Sequence, residues 1–184
     1  MYKDIFKEVL ITYEQIVERA KELGKQLSKD YANKTPIFVG VLKGCIPFFA
    51  ELLKHLECDL EIDFVDVSSF DGGVKSTGVL TVNHDVRTSV KGRNVVIVDD
   101  IIDSGLSLSH LVKHFKEEGA KEVKLVCMLD KSEGRLDKKF QADYVGFVIP
   151  NKFVVGFGLD YMDLYRNIND IGVLKEEIYQ EEGK

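Results

Sequence analysis

The chain has 184 residues, 45% of them hydrophobic and 30% charged, and carries a formal net charge of -6. A chain of this length buries roughly 70% of its unfolded surface, so one domain spanning 1–184 is expected. The acidic balance argues against broad binding to nucleic acid or to an anionic membrane, because both need a basic face.

Taken in chain order, the opening stretch MYKDIFKEVL lacks the long apolar core of a targeting segment, and no later run approaches membrane-spanning length. In TYEQIVERAKELGKQL the residues Tyr13, Ile16, Val17, Ala20, Leu23 and Leu27 fall on one helical face. Thr12 and Gln15 have capping-box spacing, so an amphipathic helix begins here. PIFVGVL (36–42) reads as a buried strand. Gly44 and Pro47 then punctuate a turn into the helix IPFFAELLKHL. LEIDFVDV is a partly alternating strand, and SSFDGGVKSTG (68–78) reads as a mobile loop. NVVIV, VKLVCML and DYVGFVI are further apolar runs, the first two separated by a helix from Leu106 to Glu118 that closes at Gly119. Strands alternating with helices predict an α/β fold with a mostly parallel twisted sheet flanked by helices. Cys45, Cys58 and Cys127 are odd in number, far apart and free of C-x-x-C spacing. Neither a disulfide framework nor a zinc ribbon is suggested, and a reducing cytoplasm is the expected location.

In parallel sheets ligands bind beyond the carboxyl ends of the strands. Three apolar runs end there in polar residues: Lys43 with Gly44, the turn Asp99 to Ser107, and Asp130 with Lys131. The middle turn combines opposites. Gly105, the hydroxyls of Ser104 and Ser107, and the start of a helix suit a phosphate, yet Asp99, Asp100 and Asp103 crowd the same place. A sugar diol donates hydrogen bonds to carboxylates, and Mg²⁺ takes oxygen ligands and commonly bridges phosphates. A phosphorylated ribose carrying a metal-bound diphosphate satisfies all three demands. The turn has neither G-x-x-x-x-G-K nor G-x-G-x-x-G, which sets it apart from Walker and dinucleotide loops.

VVIVDDIIDSGLSL resembles the phosphoribosyl-diphosphate signature of the type I phosphoribosyltransferases, and Asp103 within it is similar to the acid found in the 6-oxopurine (hypoxanthine) members. VLKGC, LDK and IPNKFVVGFGLDYMDLYRN continue that resemblance in the expected order, from Pro36 to about Asn167. It implies the type I phosphoribosyltransferase fold: a core over about 35–150, with a small hood from the N- and C-terminal segments. It also implies purine salvage, with phosphoribosyl passing from phosphoribosyl diphosphate to hypoxanthine or guanine, Mg²⁺ as cofactor, and a homodimer or homotetramer. Residue by residue, Asp103 matches the acid beside the purine N7. Lys43, Gly44, Asp99, Asp100, Ser104, Gly105, Leu106, Ser107 and Arg166 match the phosphoribosyl diphosphate site. Lys131 matches the reader of the purine 6-oxygen, Phe153 the stacking ring, Val154 a backbone contact, and Asp160 a purine-side and second metal position beside the metal acids Asp99 and Asp100. The resemblance further implies a cis peptide between Leu42 and Lys43. Asp99 stands where the family commonly has Glu, shortening its reach, and the lid pair Ser69–Phe70 replaces Ser-Tyr, losing a phenol.

Two alternatives share this pattern: a xanthine–guanine-preferring enzyme, and a nucleotide-sensing regulator on the same fold, which should show a basic face. His110 and His114 have metal-pair spacing without an evident third ligand and read as solvated. The tail KEEIYQEEGK reads as a frayed helical end without a function.

Overall fold

The computed structural model describes residues 3–69 and 80–180. Two sheets organise them. Strand β1 (Phe6–Ile11) leads into helix α1 (Tyr13–Asp30), followed by β2 (Ile37–Leu42), α2 (Ile46–Leu53), β3 (Glu61–Ser69) and β4 (Leu80–His84). Then come β5 (Asn94–Ile102), α3 (Leu106–Glu117), β6 (Glu122–Asp130), β7 (Tyr144–Val148), β8 (Val154–Val155), β9 (Ile171–Leu174) and α4 (Glu176–Gln180). The larger sheet has the order β4-β3-β2-β5-β6-β7, parallel except for β4 at its edge.

Alternation of side chains across the pleat divides the core. Phe38, Val96, Val98 and Val126 face α1 and α2, packing with Ile16, Leu23, Phe48 and Phe49. Their neighbours Ile37, Val39, Val95 and Ile97 face the other way, onto Leu108, Leu111 and Phe115 of α3. Burial on both faces explains why these strands read as unbroken apolar runs. Helix α1 starts where its capping box forms: the Thr12 hydroxyl accepts from the Gln15 N–H, and the Gln15 side chain accepts from the Thr12 N–H. Helix α3 ends one residue earlier than expected, with Glu118 as its cap and Gly119 left-handed at φ 85°.

The smaller sheet, β1-β9-β8, is antiparallel and joins the two terminal segments above the carboxyl ends of the larger one. Phe6, Val155, Ile168 and Leu174 pack beneath it. Sequence periodicity did not reveal β1. It pairs with a segment about 160 positions away, and its register is shifted twice, which breaks the alternation. No helix among the described residues is long and apolar enough to cross a membrane.

Along the larger sheet the chain steps from β2 outward to β3, then returns and proceeds from β5 through β6 to β7. The direction of winding therefore reverses between β2 and β5, and it is at such a reversal that loops part and leave a crevice.

Candidate active site

A cleft of about 400 Å³ opens at that reversal. Its lining brings together Lys43 and Gly44 just after β2, Asp99 and Asp100 from β5 with Asp103 just after it, Lys131 after β6, and Phe153, Val154, Asp160 and Arg166 from the hood side. Ser104, Gly105, Leu106 and Ser107 do not line it; they form the adjoining turn that heads α3. Ser69 closes β3, whereas Phe70 and the rest of the proposed lid lie outside the described residues.

The acid pair sits at the floor. Asp99 Oδ1 accepts from the Asp100 N–H at 3.0 Å. Burial and then the charge of Asp100 push the Asp99 carboxyl well above the usual carboxylate range, and burial pushes Asp100 up as well. Two adjacent carboxylates in a desolvated floor are hard to ionise together, so a cation would be welcomed there. Below them the Cys127 thiol is also pushed up, by burial and the two acids, which keeps it protonated.

Backbone closeness shapes the β2 side. The Leu42–Lys43 peptide is cis, as the resemblance implies. A Cβ built on Gly44 would lie 1.9 Å from Asp100 Oδ2, and one on Gly158 would lie 2.0 Å from the Gly44 carbonyl oxygen. Gly158 has φ 100°, so backbone conformation and lack of space both select glycine.

On the far side Lys131 Nζ donates to Asp103 Oδ2 at 2.9 Å, with the lysine side chain 10% exposed and the aspartate 53%. This places a donor and an acceptor next to each other at the cleft wall. Phe153 is 44% exposed and packs against Tyr161 and Tyr179, with ring centroids 5.9 and 5.4 Å away. Tyr179 lies in the tail read as functionless; it braces the aromatic wall instead.

The cations near the mouth are engaged by acids. Lys43 Nζ is 3.2 Å from Asp163 Oδ1. Arg166 donates to the Gly158 carbonyl at 2.7 Å and to Asp163 at 3.0 Å and forms an ion pair with Asp160 at 2.8 Å, while its Nε is buried without a partner among the described residues. Arg166 and Lys43 together hold the Asp163 carboxyl below its usual range. Asp160 also accepts from the Asp163 N–H at 2.8 Å, so in this structure it organises the turn and Arg166. Asp163 was not singled out from sequence. It has positive φ, and nothing local distinguishes it from a solvated acid.

Residues 11–162 match the family model described as the phosphoribosyl transferase domain, and the chain belongs to this family. A curated hypoxanthine-guanine phosphoribosyltransferase of Streptococcus pneumoniae is 53% identical over 97% of this chain and 99% of its own length. One from Lactococcus lactis is 51% identical, covering 94% of this chain and 93% of that relative. A crystal structure of a hypoxanthine phosphoribosyltransferase from Staphylococcus aureus superposes with TM-score 0.92 at 43% identity, over 96% of this chain and 95% of that one.

His114 Nε2 meets Asp85 at 2.8 Å, tying α3 to the loop after β4, and among the described residues no cluster of three or more His, Cys, Asp or Glu could hold a metal alone.

Proposed function

We propose that the chain transfers phosphoribosyl from phosphoribosyl diphosphate to hypoxanthine or guanine, giving the nucleotide and diphosphate in purine salvage. The observation that carries this is the Asp103–Lys131 pair. A 6-oxopurine presents an oxygen acceptor beside N7, and an ammonium next to a carboxylate is its complement. Adenine presents an amino group where the lysine needs an acceptor, so it is rejected by mismatch.

Asp103 takes the purine proton, and Phe153 and Val154 hold the ring. Asp99 and Asp100 accept from the ribose hydroxyls, while Ser104, Gly105, Leu106 and Ser107 receive the 5'-phosphate. Lys43, Gly44 and Arg166 hold the diphosphate. As diphosphate departs, positive charge grows on the ribose, and the acid floor together with the cations on the leaving group stabilises that separation. The carboxylate oxygens of Asp99 and Asp100 suit Mg²⁺, which is typically bound by one or two carboxylates with substrate phosphates and water completing the shell. When bound, Mg²⁺ neutralises charge on the diphosphate. Asp160 is the second carboxylate on the hood side. Ser69 and Phe70 belong to a lid that excludes water. The remaining expectations stand with this reading: one catalytic domain over 1–184, a cytoplasmic location, and a homodimer or homotetramer that acts on small molecules.

The test is incubation with phosphoribosyl diphosphate, Mg²⁺ and each purine or pyrimidine base separately, scoring nucleotide formation. Hypoxanthine and guanine should react and adenine should not, a gap of about 10⁴–10⁵ where a site is built around one polar partner. Lys131→Gln, whose amide can flip to accept, should narrow it. Comparable use of adenine by the wild type would refute the reading.

A further inference from the structure

We infer that Arg135 is a positioning residue for the 5'-phosphate turn: from outside the cleft it helps draw three successive backbone carbonyls to one side, so that the corresponding N–H groups face the phosphate. This rests on the proposed phosphoribosyl transfer.

Arg135 is 5% exposed in a run, KSEGRLDKK, that reads as solvated. Its Nε donates to the Asp103 carbonyl at 3.1 Å, its Nη1 to the Phe140 carbonyl at 2.6 Å, and its Nη2 to the Ile102 carbonyl at 3.4 Å and to the Asp130 carboxylate. The flanking backbone continues the pattern. The Lys131 N–H donates to the Ile102 carbonyl at 3.0 Å, and the Leu136 N–H donates to the Ser104 carbonyl at 3.2 Å. The carbonyls of residues 102, 103 and 104 are thus all held by the segment 131–136.

A trans peptide sends its N–H opposite to its carbonyl, and the peptides here are trans. The N–H groups of Asp103, Ser104 and Gly105 therefore turn away from that segment. No hydrogen bond among the described residues takes the N–H of Ser104 or Gly105. Three consecutive N–H groups on one side form an anion-binding concavity, which requires a left-handed residue, and Gly105 supplies it at φ 80°. A Cβ at Gly105 would lie 2.9 Å from Arg135 Cδ, so the aliphatic stem of the arginine leaves no room for a side chain at the turn. The planar fork of arginine reaches separate carbonyls at once, which a single ammonium cannot. Asp130 compensates the buried charge that this requires.

The test compares binding of guanosine 5'-monophosphate and guanosine, by calorimetry, to the wild type, to Arg135→Lys and to the charge-neutral double variant Asp130→Asn/Arg135→Gln. Folding is checked by thermal melts. In either variant that folds, affinity for the nucleotide should fall about tenfold, the equivalent of one charge-assisted hydrogen bond, while affinity for the nucleoside stays within about twofold. Equal losses for both ligands, or no loss for either, would overturn the inference. So would failure of both variants to fold, which would make Arg135 a core residue. A wild type that binds the nucleotide no better than the nucleoside would instead bring down the proposed function itself.

Discussion

Arg135 and Asp130 meet with side chains 3% and 11% exposed, whereas Lys43 and Asp163 meet at 65% and 64%, with Arg166 beside them at 28%. Both groups flank the same cleft, yet they suit opposite tasks. In the inner pair, losing either partner leaves a charge stranded in a low dielectric, so the pair persists whatever the cleft contains. The outer trio is wetted and screened, so its contacts exchange at small cost, and Asp163 occupies the two cations in place of an external anion. The difference is one of permanence: on the proposed reading, the turn for the 5'-phosphate is held ready in advance, while the cations for the diphosphate are occupied by an acid that a more highly charged ligand would displace. Asp103–Lys131 lies between the two, its lysine buried and its acid half in water.

Substitutions at each pair put this contrast to the test. The largest effect is expected at the intermediate pair, where Asp103→Asn should lower turnover by about 10²–10⁴ through loss of acid–base help, with little change in phosphoribosyl diphosphate affinity. An unchanged turnover number would remove Asp103 from the chemistry. At the inner pair, Arg135→Met strands Asp130 and should cost about 3–5 kcal/mol of stability in urea titration, against near-constancy for the Asp130→Asn/Arg135→Gln double variant. Equal losses in the two proteins would show that charge burial is not what matters there.

A third test concerns the acid floor without metal. Because the folded-state value of Asp99 is raised, the folded protein binds more protons than the unfolded chain once pH exceeds the ordinary value of 3.8. Stability should therefore decline as pH rises from there toward the raised value. With chelator present, Asp99→Asn should flatten that decline above the ordinary carboxylate value, and parallel melting curves would contradict it. The smallest effect belongs to the outer trio. Asp163→Asn should leave the melting temperature unchanged while tightening diphosphate binding severalfold, and Arg166→Ala should weaken that binding. If Asp163→Asn weakened it as well, the carboxylate would be a ligand rather than a competitor.

What the sequence disclosed follows the same division between local and distant causes. Helix α1 was legible because its cap and its apolar face lie within one stretch, and the turn 99–107 because strand, acids, glycine and hydroxyls are contiguous. The meeting of Lys43, Asp103 and Lys131 followed from strand ends on one parallel sheet. The hood was legible through family likeness alone, since β1 and β9 pair across nearly the whole chain. Arg135 escaped notice because a buried arginine among lysines and acids has no local mark; its counter-charge, Asp130, lies across a turn. Tyr179 escaped because a tail of four acids and two lysines conceals one aromatic that folds back onto Phe153.

At the centre of the cleft, Asp100, Gly44 and Gly158 stand in a row with no room for a carbon atom between successive members. That row works as a gauge. The gap between the acid floor and the hood is set by the thickness of one bare peptide, which varies far less than any packed side chain. A side chain at either glycine would widen the gauge and lift the hood, with Phe153 and Arg166, away from the acids. The spacing of the whole site is therefore fixed by two missing methyl groups.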